Sequence, residues 1–216
     1  MITSGLKTAL VLGATGLIGD ALTHRLVESP AYDRVQVLTR KPLAWQHPRL
    51  QEVPFDFDHP NGLLVRADDI YCCLGTTMKK AGSKEAFRKV DYQYPLDVAR
   101  LGLENGASQF AIVTAMGANA SSSIFYNQVK GEIERDLVAL NYPTLLIFRP
   151  SLLLGNRSEK RLGERIGSGV MRLFAPLSPA KYKAVDAEKV ANAMLTTMQQ
   201  HHHGNHIFES NDLQEY

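Results

Sequence analysis

At 216 residues, with 44% hydrophobic and 21% charged side chains, the chain has the size and composition of one globular domain with a full core, or of one with a small appended lobe, and disorder is not indicated. The net charge of +2 is spread unevenly: residues 1–150 carry 16 Lys and Arg against 15 Asp and Glu, residues 151–185 carry 7 against 2, and residues 186–216 carry 1 against 5. The basic middle segment comes without interleaved aromatics or a nucleic-acid motif, and no apolar run is long enough to span a bilayer, so neither nucleic acid nor a membrane is an expected partner.

The opening residues, MITSGLKT, lead straight into a strand without the apolar core of a signal peptide, which predicts a cytoplasmic protein. Ala9, Leu10, Val11 and Leu12 form an unbroken apolar run, the pattern of a strand buried on both faces of a parallel sheet. Gly13, Gly16 and Gly19 follow at once, and Leu17, Ile18, Ala21, Leu22 and Leu26 then recur on one face at helical spacing. Strand, glycine turn and helix together make an anion-binding unit: bare Cα atoms admit a pyrophosphate, and the helix N-terminus offers unpaired N–H groups with a partial positive charge. Gly13, Thr15, Gly16, Leu17, Ile18 and Gly19 are the expected cradle of a dinucleotide.

A second strand over residues 34–38 ends in Thr39, Arg40 and Lys41. An acid at this point binds the ribose 2′-hydroxyl of NAD, whereas an arginine accommodates a 2′-phosphate. With no acid there and the planar fork of Arg40 in its place, NADP(H) is expected over NAD(H), unless Arg40 and Lys41 are only a solvated loop pair. A proline-rich connection precedes a third strand over 50–55, ending in Asp56 and Phe57, which either edge the adenine or make a plain turn. The fourth strand, DDIYCCLGTT, places Leu74 and Gly75 where a side chain would meet a cofactor lying across the sheet, with Thr76 and Thr77 as hydroxyl ligands. Cys72 and Cys73, the two cysteines of the chain, point to opposite faces of this strand and read as core residues without a disulfide.

A helix is predicted over 84–104, N-capped by Ser83, stopped by Gly106 and kinked at Pro95. A fifth strand from Gln109, a polar loop, a helix over 124–140 and a sixth strand over 144–148 continue the alternation, ending in Arg149, Pro150 and Ser151. This pattern predicts an α/β fold with a doubly wound parallel sheet. Residues 1–216 are read as one domain in which 151–185 and 205–216 form a small substrate-side lobe, with Arg157, Arg161 and Arg165 drawing in an anionic or polar ligand, or merely solvated. The regular pattern returns as a helix over 186–198 and a short strand over 205–209. The run His201, His202, His203 suits a solvated helix end rather than a metal site, because consecutive side chains do not converge on one ion.

Tyr126 and Lys130 stand four apart on the helix after the fifth strand and share one face. Carbonyl reduction needs such a pair, a phenol to give its proton and an ammonium to make that easier. GATGLIG, CCLGTT, FYNQVKGEIE and FRPSLLLG, in that order, resemble the short-chain dehydrogenase/reductases, and within them the small atypical NAD(P)-binding members of the Tat-interacting protein group. The resemblance implies that Tyr126 is the acid/base, that Lys130 holds the nicotinamide ribose and that Pro150 and Ser151 wall the nicotinamide. It also implies a serine after the fifth strand, where Thr114 stands, with Ser121, Ser122 and Ser123 as substitutes, and an asparagine near the place of Asp91. The expected function is NADP(H)-dependent reduction of a small carbonyl-like substrate by a monomer or loose homodimer. The alternative is a catalytically weak NADPH-binding redox sensor or protein-interaction module.

Overall fold

The computed structural model describes residues 7–154, 184–200 and 202–216. Seven parallel strands form one sheet in the order β3-β2-β1-β4-β5-β6-β9: β1 (Thr8–Leu12), β2 (Arg34–Thr39), β3 (Leu50–Pro54), β4 (Asp69–Cys72), β5 (Gln109–Val113), β6 (Thr144–Arg149) and β9 (Gly204–Glu209). Two short strands, β7 (Leu153–Leu154) and β8 (Val185–Asp186), pair separately. The chain steps outward from β1 to β3, then returns to the other side of β1 with β4, so the order reverses between β1 and β4. A crevice opens beyond the carboxyl ends of the strands at such a switch point.

Alternation along each strand sends one set of side chains to each face. Val11, Val37 and Tyr71 pack with α1 (Leu17–Glu28) and α6 (Ala187–Met198), whereas Leu12, Cys72 and Ile112 pack with α4 (Tyr94–Glu104) and α5 (Phe125–Ala139). Cys72 and Cys73 therefore divide between the two cores as free thiols, Cys73 lying with its Sγ 3.9 Å from Met194 Sδ. At the amino end of the sheet the buried Asp69 carboxylate takes the Tyr32 hydroxyl at 2.6 Å and Gln109 Nε2 at 2.7 Å, a satisfied polar group that ties three elements together away from the crevice.

The single kinked helix expected over 84–104 is three pieces: α3 (Lys84–Arg88), a π-helical turn (Lys89–Gln93) and α4, preceded by the short α2 (Met78–Ala81). Pro95 has no N–H for the carbonyl of Asp91, and the helical ladder opens there instead of merely bending. Ser83 caps α3 by accepting the Ala86 N–H at 3.1 Å, and Gly106 ends α4 at φ +93°. Residues 205–209 are not part of a separate lobe: they belong to β9, which pairs with β6 along its whole length before the short α7 (Ser210–Leu213). Residues 155–183 of the expected lobe, with Arg157, Arg161 and Arg165, and His201 of the histidine run fall outside the described residues. No helix among the described residues is long and apolar enough to cross a membrane.

Candidate active site

The glycine spacing is dictated by contacts within the protein as well as by any ligand. Gly13 has φ +80°, and a Cβ on it would stand 2.6 Å from the Cys73 carbonyl oxygen, so the loop after β1 passes against the end of β4. A Cβ on Gly19 would lie 2.2 Å from the Gly13 oxygen, which locks the first turn of α1 onto that loop. Gly16 is different, since its Cβ would meet only the Gly13 oxygen, at 3.2 Å. It is the N-cap of α1 without a side-chain cap, so the amides of residues 17–19 meet no carbonyl of their own helix. This bare cradle fits a pyrophosphate.

At the end of β2 the Thr39 hydroxyl donates to the Lys41 carbonyl at 2.6 Å and accepts the Lys41 N–H at 3.2 Å, leaving Arg40 and Lys41 exposed. A shallow, open hollow is lined by Thr39, Arg40, Lys41, Pro42, Glu52 and Pro54. Glu52 is an acid that reading along β2 does not reveal, because it arrives from the neighbouring strand; its Oε2 accepts the Leu43 N–H at 2.8 Å. Phe57 does not edge this region: its ring is buried between Phe55 and Tyr94, where an aromatic gains most from leaving water. Asp56 stays at the surface, its carboxyl held below the usual range by His59 and by the Asp58 N–H.

The chemistry-bearing residues converge beyond β4, β5 and β6. Lys130 is buried on α5, with its Nζ 2.8 Å from Asp91 Oδ1, while Asp91 Oδ2 accepts the Thr76 N–H at 2.9 Å. Tyr126, one turn earlier, is 37% exposed with its ring 5.7 Å from that of Phe87. Burial pushes the Lys130 ammonium down, but the charges of Asp91 and then Tyr126 more than reverse this, and its pKa lies above the ordinary lysine value. The ammonium form of Lys130 is thereby favoured, one helical turn behind Tyr126. Gly75 lies beside this pair just beyond β4, Leu74 packs against the adjoining core, and Thr77 spends its hydroxyl oxygen capping α2. Pro150 accepts the Met116 N–H at 3.0 Å and the Ser151 N–H donates to Ser210 Oγ at 2.6 Å, which sets both beside the loop after β5.

Thr114 is placed differently from a substrate-facing hydroxyl. It is 5% exposed and donates to Glu134 Oε1 at 2.5 Å; the same carboxylate takes Arg149 Nε at 3.1 Å and Nη2 at 2.5 Å. This buried group joins the ends of β5 and β6 to α5, and neither Glu134 nor Arg149 carries a sequence signal that distinguishes it from a surface charge. The 117–123 loop lies directly on α5, because a Cβ on Gly131 would stand 2.1 Å from the Ala120 nitrogen. Within it Ser122 accepts the Ile124 N–H at 3.1 Å and is half-buried, while Ser121 and Ser123 are exposed. Thr114→Val is expected to cost about 1–3 kcal/mol of stability by stripping a donor from a buried carboxylate. A urea midpoint unchanged by the substitution, together with lost turnover, would return Thr114 to the substrate. Among the described residues no group of three His, Cys, Asp or Glu is arranged to hold a metal.

No protein-family model matches the sequence. The chain is 33% identical over 200 residues to the protein HTATIP2 of Rattus norvegicus, covering 89% of this chain and 81% of that one. It is 33% identical over 171 residues to the mitochondrial protein FMP52-1 of Scheffersomyces stipitis, covering 76% of each, and 34% identical over 171 residues to the mitochondrial FMP52 of Candida albicans, covering 76% and 75%. Similar solved structures include a short-chain type dehydrogenase/reductase from Mycobacterium ulcerans, with a TM-score of 0.72 at 15% identity over 96% of this chain and 90% of that one. MoeE5 in complex with UDP-glucose and NAD has a TM-score of 0.72 at 14% identity, over 95% and 79%. The FMP52 relatives are mitochondrial by name, which overturns the cytoplasmic expectation; the opening residues carry no information that excludes another compartment.

Proposed function

The chain belongs to the atypical short-chain dehydrogenase/reductase group that includes HTATIP2 and FMP52, an NAD(P)-binding family, and from that premise we propose that it is an NADP(H)-dependent oxidoreductase of a small carbonyl-like substrate. The observation that carries the reading is the buried, ion-paired Lys130 set one helical turn behind the half-exposed Tyr126, beside Gly75 after β4. Gly13, Gly16 and the start of α1 hold the pyrophosphate, Arg40 and Lys41 the 2′-phosphate, and Lys130 the nicotinamide ribose, with Pro150 and Ser151 as the wall. The bound cofactor supplies the hydride. Tyr126 gives its phenolic proton to the substrate oxygen, and the Lys130 cation favours that transfer by stabilising the phenolate left behind. Ser122 is the hydroxyl best held to orient the substrate, since its oxygen is already fixed on the Ile124 amide.

One observation favours the second reading, a weakly active NADPH-binding sensor: the Thr114 hydroxyl is spent on Glu134. Following NADPH oxidation by the purified protein against a panel of aldehydes and ketones separates the two readings, because a sensor leaves the whole panel untouched.

Cofactor choice is tested apart from turnover. An arginine–phosphate contact contributes roughly 1.5–3 kcal/mol, so NADPH is expected to bind about tenfold to hundredfold more tightly than NADH, and Arg40→Ala to abolish the difference. Calorimetry with both cofactors measures this directly. Equal affinities in the unaltered protein would sink the assignment and make Glu52, in the same hollow, the residue that decides.

A further inference from the structure

Two histidines after α6 meet across a turn. The Thr144 hydroxyl donates to the His202 carbonyl and the Gly204 N–H to the Pro143 carbonyl at 2.8 Å, which pins this stretch to the start of β6. Gly204 then turns the chain at φ +80°, and β9 begins. His206, opposite Leu146 of β6, comes back beside His202: the two imidazole centres are 4.6 Å apart with their planes at 47°. Phe208, two residues further along the same face of β9, stacks on Phe148 and meets His202 edge-on at 6.1 Å, so the pair rests on an apolar floor. Both imidazoles are half-buried, whereas His203 is exposed.

Hydrogen bonds decide which nitrogen of each ring carries the proton. His206 Nε2 is 2.9 Å from the His203 carbonyl oxygen, and His202 Nε2 is 3.2 Å from Gln200 Oε1. Both oxygens only accept, so both rings hold their proton on Nε2, and each Nδ1 is left with a lone pair. Burial, and then the neighbouring His206, holds the His202 imidazole below the usual histidine range, which keeps that lone pair open. A hydrogen bond from Nε2–H to an oxygen is the support that metal-bound imidazoles receive, because it fixes the ring and raises the basicity of the other nitrogen. Two imidazoles bound side by side to one ion, at about 2.1 Å per nitrogen, have ring centres roughly 4.5–5.5 Å apart. The observed separation of 4.6 Å falls in that span.

We propose that His202 and His206 form a two-imidazole site for a divalent transition ion of the zinc, nickel or copper class, with water completing its coordination. Gly204 pairs with Thr144, the first residue of β6, so the site lies at the amino end of the edge strand, away from the crevice at the carboxyl ends. An ion there clasps the start of β9 and takes no part in the chemistry around Tyr126, so the site stands apart from the oxidoreductase reading. The ligands span a turn, which the consecutive histidines of the sequence do not reveal.

The test is nuclear magnetic resonance of the imidazole nitrogens in the full chain, assigned through bonds so that the unaltered protein suffices, before and during addition of zinc chloride. Without metal, both rings should show the Nε2–H form. Zinc should then move the Nδ1 signals of His202 and His206 together, with saturation at a single ion per chain. His202→Gln and His206→Gln should each weaken zinc binding by about tenfold or more, and His203→Gln should leave it unchanged. An Nδ1–H form of either ring in the metal-free protein would overturn the proposal. So would a response of one ring without the other, or one confined to the remaining histidines, which marks an adventitious ion only.

Discussion

Tyr126→Phe is expected to leave NADPH binding nearly intact and to lower turnover by about 10²–10⁴, the usual contribution of a positioned acid. The ring packs near Phe87, and phenylalanine preserves that contact. Stability should therefore stay within about 0.5 kcal/mol, as for substitutions that disturb no packing. Lys130→Ala should do more, because it removes the cation behind Tyr126 and strands the Asp91 carboxylate in a buried site; affinity, rate and stability should fall together. The deciding measurement is NADPH oxidation by the unaltered protein and Tyr126→Phe with the best substrate of the panel. Equal rates would take Tyr126 out of the mechanism and favour the sensor.

The glycine loop yields the second large effect, and it divides by position. Gly19→Ala should destabilise the fold by about 1–3 kcal/mol or more, since a Cβ 2.2 Å from the Gly13 oxygen and 3.0 Å from the Ala14 Cα meets loop backbone and α1 must move off the loop. Gly16→Ala needs the neighbouring carbonyl to yield only a few tenths of an ångström, and its φ of −84° is open to any residue. Its melting temperature should stay close to that of the unaltered protein while its cofactor affinity drops, because the methyl group stands at the uncapped helix end that receives the pyrophosphate. Thermal unfolding with and without NADPH reads both outcomes. A Gly16→Ala protein that is still stabilised by NADPH as strongly as the unaltered one would mean that the cradle lies elsewhere.

The doubly wound sheet, the glycine turn and the limits of α5 were all legible in the chain itself. Each rests on local regularity: the apolar run 9–12, three glycines at fixed spacing, and a helical period bounded by Pro143. Such patterns report how a segment folds and which of its faces is apolar. They also place Tyr126 and Lys130 on one face, because that follows from helical geometry alone.

Only the tertiary structure decided what each polar side chain faces. Lys130 reads in sequence like any lysine at helical spacing, and its pairing with Asp91 exists because the π-helical turn before Pro95 brings that carboxylate against α5. Thr114 reads as a free hydroxyl until β6 and α5 bring Arg149 and Glu134 to it. Glu52 reaches the hollow beside Arg40 across a strand boundary, and Phe57 turns into the core instead of the crevice. Residues 205–209 join the main sheet as its edge strand, paired with β6 over six residues, a partner that lies some sixty residues earlier in the chain. The sequence by itself determined the periodicities and the loop that receives a dinucleotide, whereas the partners of buried charges and hydroxyls came from packing between distant elements, where an unpaired polar group costs too much to persist.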